Sequence, residues 1–285
     1  MDVIDRIKHS WDTLIKPYPI QGRSHPETTG VKISSEILAT HYSPGSPPNL
    51  KDIVNEIGPL PPYSIIIGGC DDHSHIFLDL SDPAPGSILI VGNQQSGRDR
   101  LLDSILYSST YLNSPRRVRY AIISPDTSEV EYFMQLPHCY KITSNEEDES
   151  IDLIYELADV ADYRRTNYQT GSAIILAIHD LPGMLSRLDD DMVDQLRWLI
   201  QVGPEVLIWT IATIDSEHLD ETEADIINQF GTRLIGSVDS IETIKYLTDT
   251  EDRTPMKIIS GSQFGVMFNQ EWIRFWIPSE QEVVS

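Results

Sequence analysis

Residues Gly92 to Asp99 read Gly-Asn-Gln-Gln-Ser-Gly-Arg-Asp, and their spacing is that of a phosphate-binding loop. The working pattern is G-x-x-x-x-G-K-[ST]: glycines let backbone N–H groups close around phosphates, lysine reaches the β/γ oxygens, and the hydroxyl holds Mg²⁺. Gly92 and Gly97 are in place, with Gln95 and Ser96 between them, but Arg98 stands where lysine belongs and Asp99 where serine or threonine belongs. The planar guanidinium of Arg98 cannot act as a lysine-like point charge. A carboxylate at position 99 would face a polyanion, and each such charge pair at ~4 Å costs roughly 4 kcal/mol at an effective dielectric near 20. At the first turn of a helix, however, a carboxylate is stabilised by unpaired N–H groups and the helix dipole. Asp99 therefore reads in two ways. It is a resident anion filling part of the phosphate space and pairing with Arg98 or Arg100, or it is a solvent-facing acid at a helix start.

The aliphatic run Ile174–Ile178 ends in His179-Asp180-Leu181. A hydrolysing site needs an Asp for Mg²⁺ and then a Glu to activate water. In one register His179 replaces the Asp and Asp180 the Glu; in the other Asp180 is the Mg²⁺ ligand and Leu181 replaces the Glu. Either register loses one carboxylate, and an ordinary core strand with a polar end fits these residues equally well. Asp180 is the one candidate catalytic residue. The candidate nucleotide-binding set is Gly92, Gln95, Ser96, Gly97, Arg98, Asp99 and Asp180. Phosphoryl transfer rests on positioning and electrostatics, so these losses compound. ATP and Mg²⁺ are the cofactors such a loop would take, and the substitutions disfavour both.

Other constellations carry less. Cys70-Asp-Asp-His-Ser-His75 gathers metal-capable side chains, but the spacing matches no zinc framework and reads as a turn between strands, so no metal site is assigned. His138-Cys139 reads as a half-buried loop pair, because adjacent residues seldom face each other. Arg233 and the Arg164-Arg165 pair could reach a neighbouring nucleotide site, although surface ion pairing with the many acids is the preferred reading. Trp198, Trp209, Trp272 and Trp276 fall on helix or strand faces and read as core or interface.

The elements that would position the loop are legible. Ser87–Val91 is a β-branched run ending at Gly92, and Leu101, Leu102, Ile105 and Leu106 recur at helical spacing, giving the strand, loop and helix order the motif requires. Asp2–Lys16 has an amphipathic period closed by Pro17, and Val31–Leu38 has room for one short element. Asn49 caps a helix over Leu50–Ile57. Tyr63–Gly68 and His75–Leu80 read as strands. Strands then alternate with helices: Val118–Ser124, helix Glu129–Gln135, Tyr140–Thr143, helix Ser150–Asn167, Ala173–Ile178, helix Met192–Gln201 and Val206–Thr213. A helix over Glu223–Phe230, strand Arg233–Gly236 and helix Ser240–Leu247 follow, before a β pair at Gly265–Phe268 and Trp272–Ile277. Strands aliphatic on both faces and alternating with helices predict a parallel sheet covered on both sides.

Composition narrows the function classes. Among 285 residues, 40% hydrophobic content indicates a globular chain, and no apolar run approaches the length of a membrane span. The residues from Met1 to Asp5 lack the basic segment and apolar core expected of a signal peptide, and two cysteines fit the expectation of a reducing, cytoplasmic setting. Lys and Arg total 21 against 44 Asp and Glu, a net charge of −23, which disfavours autonomous nucleic-acid binding. The one basic cluster, Arg98, Arg100, Arg116, Arg117 and Arg119, flanks the loop and suits a phosphate or a subunit contact. Acid runs at Glu146–Glu149, Asp189–Asp191 and Asp215–Asp225 read as solvated loops and helix starts.

Laid out in order, these elements resemble the motor domain of the FtsK/SpoIIIE family, including the repeated ATPase modules of type VII secretion, over roughly residues 60 to 278. The resemblance rests on a series of phrases. Ile65-Ile-Ile-Gly68 with Ile76–Leu80 resembles the hairpin before the phosphate loop, and Ser104–Pro115 the first core helix and its exit. Val118–Asp126 is similar to the next strand, its terminal Asp-Pro here inverted to Pro125-Asp126. Leu136-Pro-His138 and Asp162-Tyr-Arg-Arg165 match two further phrases. Ala212-Thr213 resembles the sensor strand, with Ile214 where glutamine is expected. The resemblance implies an α/β, RecA-like P-loop NTPase core with a mostly parallel sheet flanked by helices, plus a small N-terminal α/β extension. The expected division is an extension at 1–62, the FtsK-like domain at 63–278 and a tail at 279–285. It also implies a place in a ring or tandem array, with protein partners among other FtsK-like subunits. The substituted positions lead to the expectation of a degenerate ATPase without hydrolysis, a scaffold or regulatory subunit of a translocation or secretion machine. The alternative is an ATP-binding DNA or protein translocase with residual activity.

Overall fold

A computed structural model of the chain describes residues 31–34, 46–169, 171–221, 224–268 and 271–279; the amphipathic stretch Asp2–Lys16 lies outside them. The chain begins with β1 (Val31–Ser34), α1 (Leu50–Ile57), β2 (Ser64–Gly69), β3 (His75–Asp79), β4 (Ile88–Gly92) and α2 (Arg98–Leu112). It continues through β5 (Val118–Ser124), α3 (Glu131–Met134), β6 (Cys139–Ser144), α4 (Asp148–Thr166), β7 (Ala173–Ile178), α5 (Leu181–Leu185) and α6 (Asp190–Val202). The last elements are β8 (Ile208–Asp215), α7 (Ala224–Ile227), β9 (Thr232–Ile235), α8 (Ile241–Thr248), β10 (Gln263–Phe268) and β11 (Glu271–Trp276). All strands join one mixed, mostly parallel sheet in the order β1-β3-β2-β11-β10-β9-β4-β8-β7-β5-β6. The run from β9 to β6 is parallel, and the strands beyond β9 pair antiparallel.

The parallel half follows from composition. β4 and β7 are buried along their whole length, as strands covered by helices on both faces must be. One core lies under α4 and α6, where Leu153, Leu157, Leu196 and Leu199 meet Leu176 and Ile178. The other lies under α2, where Leu102 and Ile105 meet Ile90, Trp209 and Ile211. Trp209 is fully buried, and its indole N–H donates to Leu80 O at 3.1 Å. Helix starts follow the expected caps: Asn49 accepts from Lys51 N, Asp189 from Met192 N, and Ser240 from Glu242 N. α1 sits against Ile66 and Phe77 in a third, smaller cluster, and its start is tied to the segment after β11 by Leu50 N–H donating to Ser279 O.

Two basic residues considered for a role in trans are structural here. Arg164 is 1% exposed and donates to Val206 O and Ser172 O. Arg233 donates to Leu247 O and to Asn228 Oδ1.

The antiparallel half holds a buried histidine. His75 is 0% exposed in β3, and among the described residues neither ring nitrogen finds a hydrogen-bond partner. Burial pulls its pKa below the ordinary 6.5, with Glu56 and Asp72 working the other way and His73 adding to the depression. The folded protein thus refuses a proton that the unfolded chain accepts below about pH 6.5, and stability must fall as the pH drops through that value. His75→Leu removes two orphan polar atoms at similar volume. We expect it to raise stability by about 1 kcal/mol at neutral pH and to flatten the loss between about pH 6.5 and 5. Urea denaturation of both proteins at two pH values measures this, and equal acid sensitivity would refute it.

Candidate functional site

The site is built at the carboxyl ends of β4, β8 and β7, where adjacent parallel strands deliver their loops to one crevice. β4 ends at Gly92, the loop turns back with Ser96 N–H donating to Asn93 O at 2.9 Å, and α2 opens at Arg98. Gly92 is required because a Cβ there would lie 2.4 Å from Ser96 Oγ, and Ser96 is itself fully buried. Gly97 has φ +80°, a conformation that favours glycine. The segment ahead of β10 packs on the loop from outside: Ser260 Oγ donates to Gln95 O at 2.7 Å, Gly261 N–H to Ser96 O at 3.1 Å, and Arg100 Nη1 to Gly261 O at 3.2 Å. Asn93 Nδ2 anchors the other flank on Asp239 Oδ2.

The two substituted positions point into contacts of their own. Arg98 Nη1 donates to Gly92 O at 3.2 Å and to Asp215 Oδ2 at 2.8 Å, and its Nε lies 3.6 Å from Asp99 Oδ2. Both partners of the Arg98–Asp215 pair are mostly enclosed, with side chains 17% and 12% exposed. The cation that should reach phosphate is therefore held by a carboxylate of the same chain. Asp99 Oδ1 accepts from Thr213 Oγ1 at 2.9 Å and lies 3.6 Å from His179 Nδ1. Partial burial raises the Asp99 pKa, but the His179 contact, the Arg98 charge and the Thr213 hydroxyl outweigh it, and the carboxyl is held below its ordinary range. Asp99 thus lies beside Arg98, and half of its side chain remains exposed. Arg100 is engaged elsewhere, on Gly261.

His179 and Asp180 diverge. The His179 ring faces α2, with Nε2 3.5 Å from Asp103 Oδ1, so it bridges two carboxylates one helical turn apart. Because Asp99 and Asp103 approach different ring nitrogens, they do not share one point for an ion. Asp180 has φ +68°, a strained value for a non-glycine residue, and its N–H donates to Thr213 Oγ1 at 3.1 Å. Its carboxylate turns toward Gly183, where an added Cβ would lie 2.1 Å from Asp180 Oδ2 and 3.0 Å from Asn145 Nδ2. Of this pair, His179 is the residue that approaches Asp99 and Asp103 on α2.

Thr213, Asp215 and Asp103 complete the network. Thr213 drew attention only as part of a sensor-like strand and Asp215 only as the start of an acid run. The rule that sites form at the carboxyl ends of parallel strands would have marked both, once β8 is known to lie between β4 and β7. Asp103 follows Asp99 by four residues, which places it on the same helix face.

The Cys70–His75 segment is the turn between β2 and β3. Asp72 accepts from Ser74 N and Oγ, Asp71 accepts from Trp276 Nε1, and burial pushes the Cys70 thiol up to about 11. Among the described residues no group of three His, Cys, Asp or Glu side chains is arranged to hold a metal. His138 Nε2 lies on Asn113 O at 2.8 Å, and burial raises the Cys139 pKa, which leaves that thiol a poor nucleophile.

No family model and no curated protein matches the chain. Solved structures do. EssC (ATPases 2 and 3) from Geobacillus thermodenitrificans superposes with a TM-score of 0.64 at 17% identity, covering 79% of this chain and 49% of that one. The cytoplasmic domain of the type VII secretion ATPase EccC from Thermomonospora curvata gives 0.61 at 15%, covering 80% and 27%. The pCW3 conjugation coupling protein TcpA, solved with ATPγS, gives 0.60 at 15%, covering 78% and 67%. The chain thus spans half or less of the EssC and EccC structures. With a glycine loop between β4 and α2 and a parallel core behind it, the chain has the fold of an FtsK/SpoIIIE-like P-loop ATPase domain and resembles the ATPase modules of type VII secretion.

Proposed function

We propose that this chain is a non-hydrolysing FtsK-like domain, with residues 63–278 as its working unit between an extension at 1–62 and a tail at 279–285. It acts as a scaffold or regulatory subunit of a translocation or secretion machine. The observation that carries this reading is the closed network at the loop: Arg98 is held on Asp215 and Gly92 O, and Asp99 on Thr213 and His179. A triphosphate entering this crevice must break the Arg98–Asp215 pair and then meet Asp99. The carboxylate pair that would hold Mg²⁺ and activate water is reduced to Asp180, which is turned toward Gly183.

The partner is a protein, with another FtsK-like ATPase subunit the first candidate. Support comes from the neighbours, which are components of secretion and conjugation systems. The net charge of −23 supports protein over nucleic acid, and the cytoplasmic EccC neighbour supports a cytoplasmic setting. Among the described residues no helix is long and apolar enough to cross a membrane.

Phosphate release from Mg-ATP, with and without DNA, tests the reading. The expected rate equals the protein-free background. Sustained turnover that disappears in Arg98→Ala would replace this reading with that of an active translocase.

A further inference from the structure

A second concavity lies apart from the loop network, between β9, β10, α8 and the turn before β4. Its volume is about 460 Å³, within the roughly 300–1,000 Å³ of clefts that take small organic ligands. Phe230, Leu247, Met267 and Phe268 give it apolar walls, and Arg233 is the one charged residue among the described residues that line it. The two threonine hydroxyls on its wall are already committed, Thr232 to Pro85 O and Thr248 to Ile244 O.

Arg233 is the unusual member. Burial pulls its pKa down, and Asp249 and Tyr246 act on it only through space. Its hydrogen bonds go to neutral acceptors: Nη1 to Leu247 O, and Nη2 to Ile227 O and Asn228 Oδ1. A guanidinium has five N–H donors, so one on Nη1 and one on Nε remain, and Nε is enclosed without an acceptor. A partly desolvated cation beside an apolar hollow, with no carboxylate in contact among the described residues, is complementary to one class of ligand.

We propose that this cleft binds a small amphipathic carboxylic acid, its apolar body against Phe230, Leu247 and Met267 and its carboxylate on the Arg233 guanidinium. The chain's overall negative charge does not forbid this, since at physiological ionic strength charges beyond about 8 Å are largely screened and Arg233 dominates locally. The site is independent of the nucleotide reading, because no residue of the loop network lines it.

Octanoate and octanol, titrated calorimetrically into the full chain, test the proposal. Octanoate should bind saturably and at least about tenfold more tightly than octanol, the difference expected for one charge-assisted hydrogen bond. Met267→Trp, which fills the hollow from a partly exposed position, should abolish binding while the circular dichroism spectrum is kept. Arg233→Gln should bring octanoate down to the affinity of octanol. If Arg233→Gln fails to fold, the acid-to-alcohol ratio and Met267→Trp still decide. Absence of saturable octanoate binding, equal affinity for acid and alcohol, or unchanged binding by Met267→Trp would each overturn the proposal.

Discussion

Replacing Arg98 with lysine and Asp99 with serine together should tighten Mg-ATP binding by roughly 30- to 100-fold and still yield no turnover. The unmodified crevice opposes the nucleotide twice: Asp99 presents a carboxylate to the incoming phosphates, and Arg98 is paired with Asp215 and not with the ligand. A charge pair at ~4 Å costs roughly 4 kcal/mol at a dielectric near 20. The Asp99 side chain is 51% exposed, so solvent screening reduces that figure. A gain of about 2–2.7 kcal/mol remains, which converts to the stated factor. Turnover stays absent because the double variant leaves His179 beside α2 and Asp180 turned toward Gly183. Equilibrium binding of a fluorescent ATP analogue and a phosphate-release assay measure the two halves separately. Micromolar binding by the unmodified protein would remove the argument from Asp99, and hydrolysis by the double variant would remove the argument from the His179–Asp180 pair.

Much of this site could be anticipated because its frame is local. Gly92, Gly97 and the flanking strand and helix are set by neighbouring residues, so spacing alone locates them. β4, β5, β7 and β8 were equally legible, since a strand buried on both faces must be aliphatic throughout. The contacts that decide the chemistry were not local. Arg98 meets a residue 117 positions away and Asp99 accepts from one 114 away, and no periodicity encodes which acid at a strand end lies opposite. The same limit hid the joining of the β2–β3 hairpin to the β10–β11 hairpin. That joint passes through one pairing, Trp276 with Gly69, and the close approach at Gly68, where an added Cβ would lie 2.2 Å from Phe275. α5 was missed because Leu181-Pro-Gly-Met-Leu185 carries turn-like residues, although proline is well tolerated in a first helical turn. Where the side chains of His179 and Asp180 lie needed the backbone itself, because no periodicity encodes the positive φ of Asp180.

Arg164 shows how far position alone can mislead about a charge. In the last turn of α4 an arginine reads as a partner for the helix dipole or for surface acids, yet here it is 1% exposed and its pKa is pushed down to about 10 by burial. The guanidinium lies between the entrances of β7 and β8, donating to Ser172 O at 3.1 Å and Val206 O at 2.9 Å, and so joins α4 to both central strands. Arg164→Ala should therefore lower stability by about 4 kcal/mol, combining a cavity with two carbonyls left without donors. For a domain of this size that is a fall in Tm of about 10 °C. Arg164→Met keeps the aliphatic stem and removes the cost of burying the charge, so its loss should be smaller, about 1–2 kcal/mol from the unpaired carbonyls alone. Chemical denaturation of the two variants separates packing from hydrogen bonding, and the ordering matters more than either value. If alanine and methionine cost the same, the carbonyl bonds carry the whole effect. If Arg164→Ala falls within 1 kcal/mol of the unmodified chain, the residue is no clasp between the strands, and a role for it outside the core must be sought again.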